Sequence, residues 1–260
     1  MKRTLHVEAW GDPEAPRAVY LHGVTGCGGH ARGLAEGWLA GRFRVLAPDL
    51  LGHGSSPYEP PWDIEAHVDA VLDSVGREPA DWIGHSFGGR LAFELAARHP
   101  GLVRRLVLLD PALALDPAVA LYAAESGREE RAYASFEDAV ERRFEESGLR
   151  TAPRELVETD LREHVVQSED GLWRYRYSQA AVIAAYGEMA SAPPSFSSVR
   201  VPTLLVLGNR SYVTYDHLLD AHRAALGDLL RVVDVESGHT LLWDALEETA
   251  AAVTAFLADV

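Results

Sequence analysis

Six short apolar runs constrain what this chain can fold into: Ala18 to Leu21, Arg44 to Ala47, Asp81 to Ile83, Arg105 to Leu109, Thr203 to Leu207 and Arg231 to Val235. Stretches with helical spacing separate them. Strands alternating with helices require right-handed βαβ crossovers, and these build a mostly parallel sheet covered by helices on both faces. In such an α/β sheet, ligand chemistry gathers at the carboxyl ends of the strands. The polar residues just beyond each run are therefore the candidates for function.

The alternation stops between about Pro111 and Ser198. There the chain reads as helical and polar over Leu113 to Ser126, Glu129 to Ser147, Pro153 to Gln167 and Gln179 to Ala190, with no strand-like run. Asp110-Pro111 at the entry and Ser191-Ala192-Pro193-Pro194-Ser195 at the exit look like hinges. The expected organisation is a core of residues 1–111 and 197–260 with an inserted helical cap of residues 112–196. A chain of 260 residues with 47% hydrophobic content is long enough to bury one such core.

Charge and cysteine content narrow the partners. A formal net charge of −15 argues against nucleic acid or an anionic membrane surface, since both need clustered Lys and Arg. The single cysteine, Cys27, cannot close an intramolecular disulfide and has no second thiol with which to build a zinc site, so no metal is expected. Met1-Lys2-Arg3 starts like a leader, but Thr4 to Trp10 contains His6 and Glu8 and alternates as a strand does. No run approaches the roughly 18 apolar residues of a membrane span. The expectation is a soluble, cytoplasmic protein acting on a small molecule, with homo-oligomers left open.

The chemistry centres on Gly84-His85-Ser86-Phe87-Gly88. This segment follows an apolar strand and opens a helix, Phe87 to Arg98, with Leu91, Phe93, Leu95 and Ala96 at helical spacing. A turn that sharp crowds the backbone, so glycines flank it and Ser86 projects above the helix amino terminus. A serine hydroxyl becomes a nucleophile only when a positioned imidazole takes its proton. His239, in Ser237-Gly238-His239-Thr240 just beyond the last strand, stands at the same sheet edge. The oxyanion donors would be the Phe87 N–H and, after the first run, the Val24 N–H in His22-Gly23-Val24.

These motifs are similar to those of the α/β-hydrolases. His22-Gly23, the segment Ala47 to Ser56, the elbow Gly84 to Gly89 and the terminal Gly238-His239 occur in that family's order. The chain resembles the compact capped branch containing esterases, lactonases, carbon–carbon bond hydrolases and cofactor-free haloperoxidases. That resemblance implies acyl transfer to Ser86, because members that open epoxides or displace halide carry Asp there. It implies that Asp49 to Ser55 is a structural turn; no cofactor is expected, because serine, imidazole and backbone dipoles suffice.

One part departs from the family pattern. Relatives usually carry the triad acid a few residues beyond the strand matching Thr203 to Leu207, where this chain reads Gly208-Asn209-Arg210-Ser211. Three alternatives stand: Asp110, in the slot before the cap where some relatives place the acid; Asp216, reaching back from a helix start; or a Ser-His dyad. Arg90, about one helical turn past Ser86, could bind an anionic substrate or form a structural ion pair. Trp173, in Trp173-Arg174-Tyr175-Arg176-Tyr177, could stack on an acyl group or belong to a partly exposed face. The expected activity is cleavage of an ester, lactone or related acyl bond. The alternatives are a carbon–carbon bond hydrolase or a menaquinone-pathway-like lyase on a carboxylated substrate, and a non-catalytic ligand-binding member.

Overall fold

The computed structural model describes residues 3–258, so Met1 and Lys2 of the leader-like start lie outside it. Among the described residues seven strands form one sheet in the order β1-β3-β2-β4-β5-β9-β10. They are β1 (Val7–Trp10), β2 (Arg17–Leu21), β3 (Arg44–Pro48), β4 (Ala80–His85), β5 (Val103–Leu109), β9 (Thr203–Gly208) and β10 (Leu230–Val235). Only β1 runs antiparallel. Each of the six apolar runs lies in a strand that extends it by no more than three residues.

Burial on both faces explains why these runs are nearly continuous in apolar residues. Successive side chains of a strand point to opposite faces. Leu21, Trp82, Leu108 and Leu205 thus enter one buried cluster, and Tyr20, Ile83, Val107, Leu109, Leu204 and Val206 enter the other. Helices α1 (Ile64–Val75) and α2 (Phe87–Arg98) cover the first face, while a run of turns from Gly28 to Leu39 covers the second. Two C-terminal helices, α8 (Leu241–Asp244) and α9 (Leu246–Ala258), share that second face, and α7 (Asp216–Leu226) lies between β9 and β10.

The excursion between β5 and β9 contains α3 (Pro117–Ser126), α4 (Phe136–Ser147), α5 (Arg154–His164) and α6 (Gln179–Ala190). It is not free of strands, as the sequence reading expected. Short strands β6 (Ala132–Tyr133), β7 (Val165–Gln167) and β8 (Trp173–Tyr175) form a separate antiparallel sheet in the order β6-β8-β7. Strands of two or three residues are too short to show a period. The aromatic and basic alternation of Trp173 to Tyr177 is in part the pleat of β8. Beneath this sheet Tyr133, Val140, Val157, Leu161 and Tyr175 pack together with Trp243 from α8, which fastens the excursion to the core.

Candidate active site

Sheet register brings the predicted residues side by side. His85 pairs with Leu109 across β4 and β5, and Leu109 pairs with Val206 across β5 and β9. The residues that follow therefore share one carboxyl edge: the Ser86 N–H donates to the Leu109 carbonyl at 3.2 Å, and the Asp110 N–H to the Val206 carbonyl at 2.8 Å.

Ser86 occupies the strand-to-helix turn at φ 53°, ψ −116°, a conformation that side chains adopt at a cost of order 1–3 kcal/mol. The turn is forced by close packing. A Cβ added at Gly88 would run into the carbonyl oxygen of Leu21 at the end of β2. The first helical bond of α2 runs from the Arg90 N–H to the Ser86 carbonyl at 3.2 Å, leaving the amides of Phe87, Gly88 and Gly89 without an acceptor inside the helix. From β2 the loop of Val24 crosses close above, such that a Cβ at Gly23 would stand 3.0 Å from that of Ser86. His22 shapes this loop. Its Nε2 accepts the Leu50 N–H at 2.9 Å, so Nδ1 carries the proton and donates to the Gly23 carbonyl at 2.8 Å. Burial pushes the pKa of His22 well below the ordinary histidine value and keeps this tautomer neutral.

Geometry distinguishes the three alternatives for the acid. The Nδ1 of His239 meets Oδ2 of Asp110 at 2.5 Å, and Asp110 is 1% exposed. Oδ1 of the same carboxylate accepts the Gly208 N–H at 3.1 Å. Ser211, standing where relatives usually carry the acid, turns its hydroxyl to Asp110 Oδ2, accepts the Val213 N–H at 3.0 Å, and lies 3.5 Å from His239 Nδ1. The carboxylate stands at the end of the neighbouring strand, and Ser211 supports it with a hydrogen bond. Asp216 starts α7 with an exposed side chain and takes no part in this network.

Two expected substrate contacts are corrected. Arg90 is 1% exposed and fully engaged, pairing with Glu94 at 3.0 Å and donating to the carbonyls of Leu113, Ser191 and Ala192. Its guanidinium ties the start of α2 to both ends of the excursion, because a buried cation has to be met by acceptors. Trp173 packs on Phe136 with ring centroids 5.6 Å apart and does not line the cavity above Ser86. Arg174 pairs with Asp170 and Glu130, and Arg176 with the Ser55 hydroxyl. Asp49 is the expected turn-former: its carboxylate accepts the Gly28 and Ser55 N–H groups at 2.8 Å each.

Two contributors were not read from the sequence. His85, the elbow residue before Ser86, donates from Nε2 to the His239 carbonyl at 2.8 Å and so holds the backbone of His239. Burial, then repulsion from His239, pushes its pKa well down and keeps it neutral. Arg143 on α4 is the other. It lines the cavity with Ser86, His239 and Val24, is 7% exposed, and its Nε has no hydrogen-bond partner. Among the described residues no carboxylate pairs with it; its guanidinium lies 4.7 Å from the Trp243 ring centroid and 5.5 Å from that of Tyr175. The cavity measures about 550 Å³, and the excursion adds Leu115, Val119, Tyr186 and Met189 to its walls. One group among the described residues is arranged to hold a metal ion, Cys27 with His30 and His164, and of these only His30 reaches the cavity.

Comparison with known proteins agrees with this architecture. The family model described as alpha/beta hydrolase fold matches residues 17–246. The chain is 35% identical to the lipase LipV of Mycobacterium tuberculosis over 259 residues, 96% of either chain. It is 45% identical to a pimeloyl-[acyl-carrier protein] methyl ester esterase of Methylococcus capsulatus over 94 residues, 36% of each. Among solved structures, E-2-(acetamidomethylene)succinate hydrolase superposes with a TM-score of 0.85 at 23% identity, covering 99% of this chain and 98% of that one. None of the described helices is long and apolar enough to cross a membrane.

Proposed function

The chain belongs to the α/β-hydrolase fold family and is a hydrolase, and on that footing we propose that it cleaves an ester or related acyl bond through an acyl-enzyme on Ser86. The observation that carries this reading is the Asp110–His239 hydrogen bond at the edge where Ser86 projects into the cavity. With Nδ1–H committed to Asp110, Nε2 of His239 is the basic nitrogen. It takes the Ser86 proton as Oγ attacks the acyl carbonyl, and the N–H groups of Val24 and Phe87 receive the oxyanion. His239 then protonates the departing alcohol. Water, deprotonated by the same imidazole, attacks the acyl-enzyme, and the collapsing intermediate returns Ser86 and a carboxylic acid. Asp110 stabilises the imidazolium at both steps without taking its proton.

Residues 112–196 act as a cap in this reading, since they supply much of the cavity wall. A space of about 550 Å³ suits a small, partly apolar acyl group. Exposure to a fluorophosphonate tests the assignment: the protein should label rapidly at Ser86, and Ser86→Ala should not label. Absence of labelling in the unaltered protein, with ester turnover at background, would overturn the reading in favour of a ligand-binding member.

Arg143 favours a second reading in which the substrate also carries an anionic group. A buried guanidinium without a carboxylate partner is costly, and a substrate carboxylate would supply one, each such bond contributing about 1.5–3 kcal/mol. Arg143→Met is therefore expected to raise KM for acyl chains ending in a carboxylate by roughly ten- to a hundredfold. KM for matched neutral esters should change little. Equal effects on both series would reject the role.

A further inference from the structure

We propose that Cys27, His30 and His164 form a buried site for one zinc-class divalent cation that fastens α5 to the core. The site takes no part in the proposed hydrolytic steps, although its His30 also borders the cavity. It is assembled from Cys27-x-x-His30 in the loop after β2 and Asp160-x-x-x-His164 on one face of α5. The ligand atoms of Cys27, His30 and His164 all lie within 4.8 Å of one another. Donors around a tetrahedral zinc, with Zn–S near 2.3 Å and Zn–N near 2.0 Å, stand about 3.3–3.8 Å apart. Side-chain rotations of about an ångström would close the set.

Unmet polar groups point to an ion there. His164 is 1% exposed, and neither of its ring nitrogens has a hydrogen-bond partner. Burying both without a partner is unfavourable, and native cores leave few such groups. Asp160, one turn earlier on α5 and 7% exposed, meets His30 Nε2 with Oδ2 at 3.1 Å while Oδ1 is left without a partner. A carboxylate on the far nitrogen is how proteins orient a ligating imidazole, and it leaves Nδ1 of His30 for the ion.

The cysteine is held in place. The backbone N–H groups of Gly29 and His30 hydrogen-bond to the Cys27 sulfur and fix its position beside His30. A mixed sulfur and imidazole set selects zinc or cobalt(II) over magnesium or calcium. Binding would release the Cys27 proton to solvent, and the thiolate with the Asp160 carboxylate would balance a dipositive ion in the interior. A water completes four-coordination. Arg143 forms no ion pair with Asp160; its guanidinium lies against the rings of Trp243 and Tyr175.

The test uses the full chain, stripped with a chelator and titrated separately with Zn²⁺ and Co²⁺. Because Cys27 is the single cysteine, a thiolate-to-cobalt charge-transfer band in the near ultraviolet reports this site alone. The expected results are one equivalent bound, that band with tetrahedral cobalt absorption in the visible, and a Tm raised by Zn²⁺. Cys27→Ser should abolish the band, and His164→Gln should weaken zinc binding at least a hundredfold. Lack of a cobalt band in the unaltered protein, together with a Tm indifferent to zinc, overturns the proposal and leaves a cluster solvated by water. Both readouts are independent of turnover, so they succeed or fail separately from the hydrolase reading.

Discussion

Asp110→Asn is expected to lower kcat on ester substrates by about 10⁴-fold with KM little changed, the effect such a change has where an aspartate holds a catalytic imidazole. Asn keeps the shape and can still accept the Gly208 N–H at Oδ1, so the fold should survive. Its amide, however, donates to His239 Nδ1 and holds the tautomer that cannot take the Ser86 proton at Nε2. KM should stay because Asp110 does not line the cavity. Position 211 gives a rescue. Ser211 lies 3.5 Å from His239 Nδ1, so Ser211→Asp in the Asp110→Asn background should recover roughly 10- to 100-fold of the loss. Steady-state kinetics with thermal melts of each variant decide the matter. Near-normal turnover of Asp110→Asn would remove Asp110 from the mechanism.

Moderate acid should destabilise the protein strongly. Burial lowers the pKa of His53 and His222 to about 4 and of His67 to about 3, and moves His22 and His85 the same way. In the unfolded chain these rings protonate near 6.5. Below that value the unfolded state binds more protons than the folded one, so stability is lost as pH falls through about 6.5 toward 4. Between pH 7 and pH 5 each ring with a folded value near 4 costs about 2 kcal/mol. His53, His67 and His222 together then remove about 6 kcal/mol, a large fraction of the roughly 5–15 kcal/mol that holds a domain. Carboxylates remain largely ionised at pH 5, so protonating them offsets little of this. Denaturant unfolding at the two pH values measures the loss. His67→Leu should return about 2 kcal/mol of it, since its ring packs on Phe87 and its Nδ1 has no partner to lose. Equal stability at pH 7 and pH 5 would contradict the mechanism.

The strands, the elbow and His239 were legible because each is written within a few neighbouring residues. The period of Leu106 to Leu109 declares a strand buried on both faces. Gly84-His85-Ser86-Phe87-Gly88 declares a turn too tight for side chains beside the serine. His239 is identified by its place after the last strand. The short strands β6, β7 and β8 were not legible, because two or three residues carry no period. Arg90 and Trp173 were ambiguous for another reason: partners such as Glu94 and Phe136 are chosen by packing.

What the sequence by itself determined is the layered α/β core, the elbow that carries Ser86 and the placing of His239 at the same sheet edge. What only the tertiary structure decided is that Asp110 meets His239, that Arg143 and not Arg90 lines the cavity, and that Cys27 and His164 come together. Periodicity and turn chemistry act over a few residues and leave a local trace. Contacts between Asp110 and His239, or between a core loop and α5, arise from strand register and from the docking of an inserted segment, and distance along the chain does not encode them.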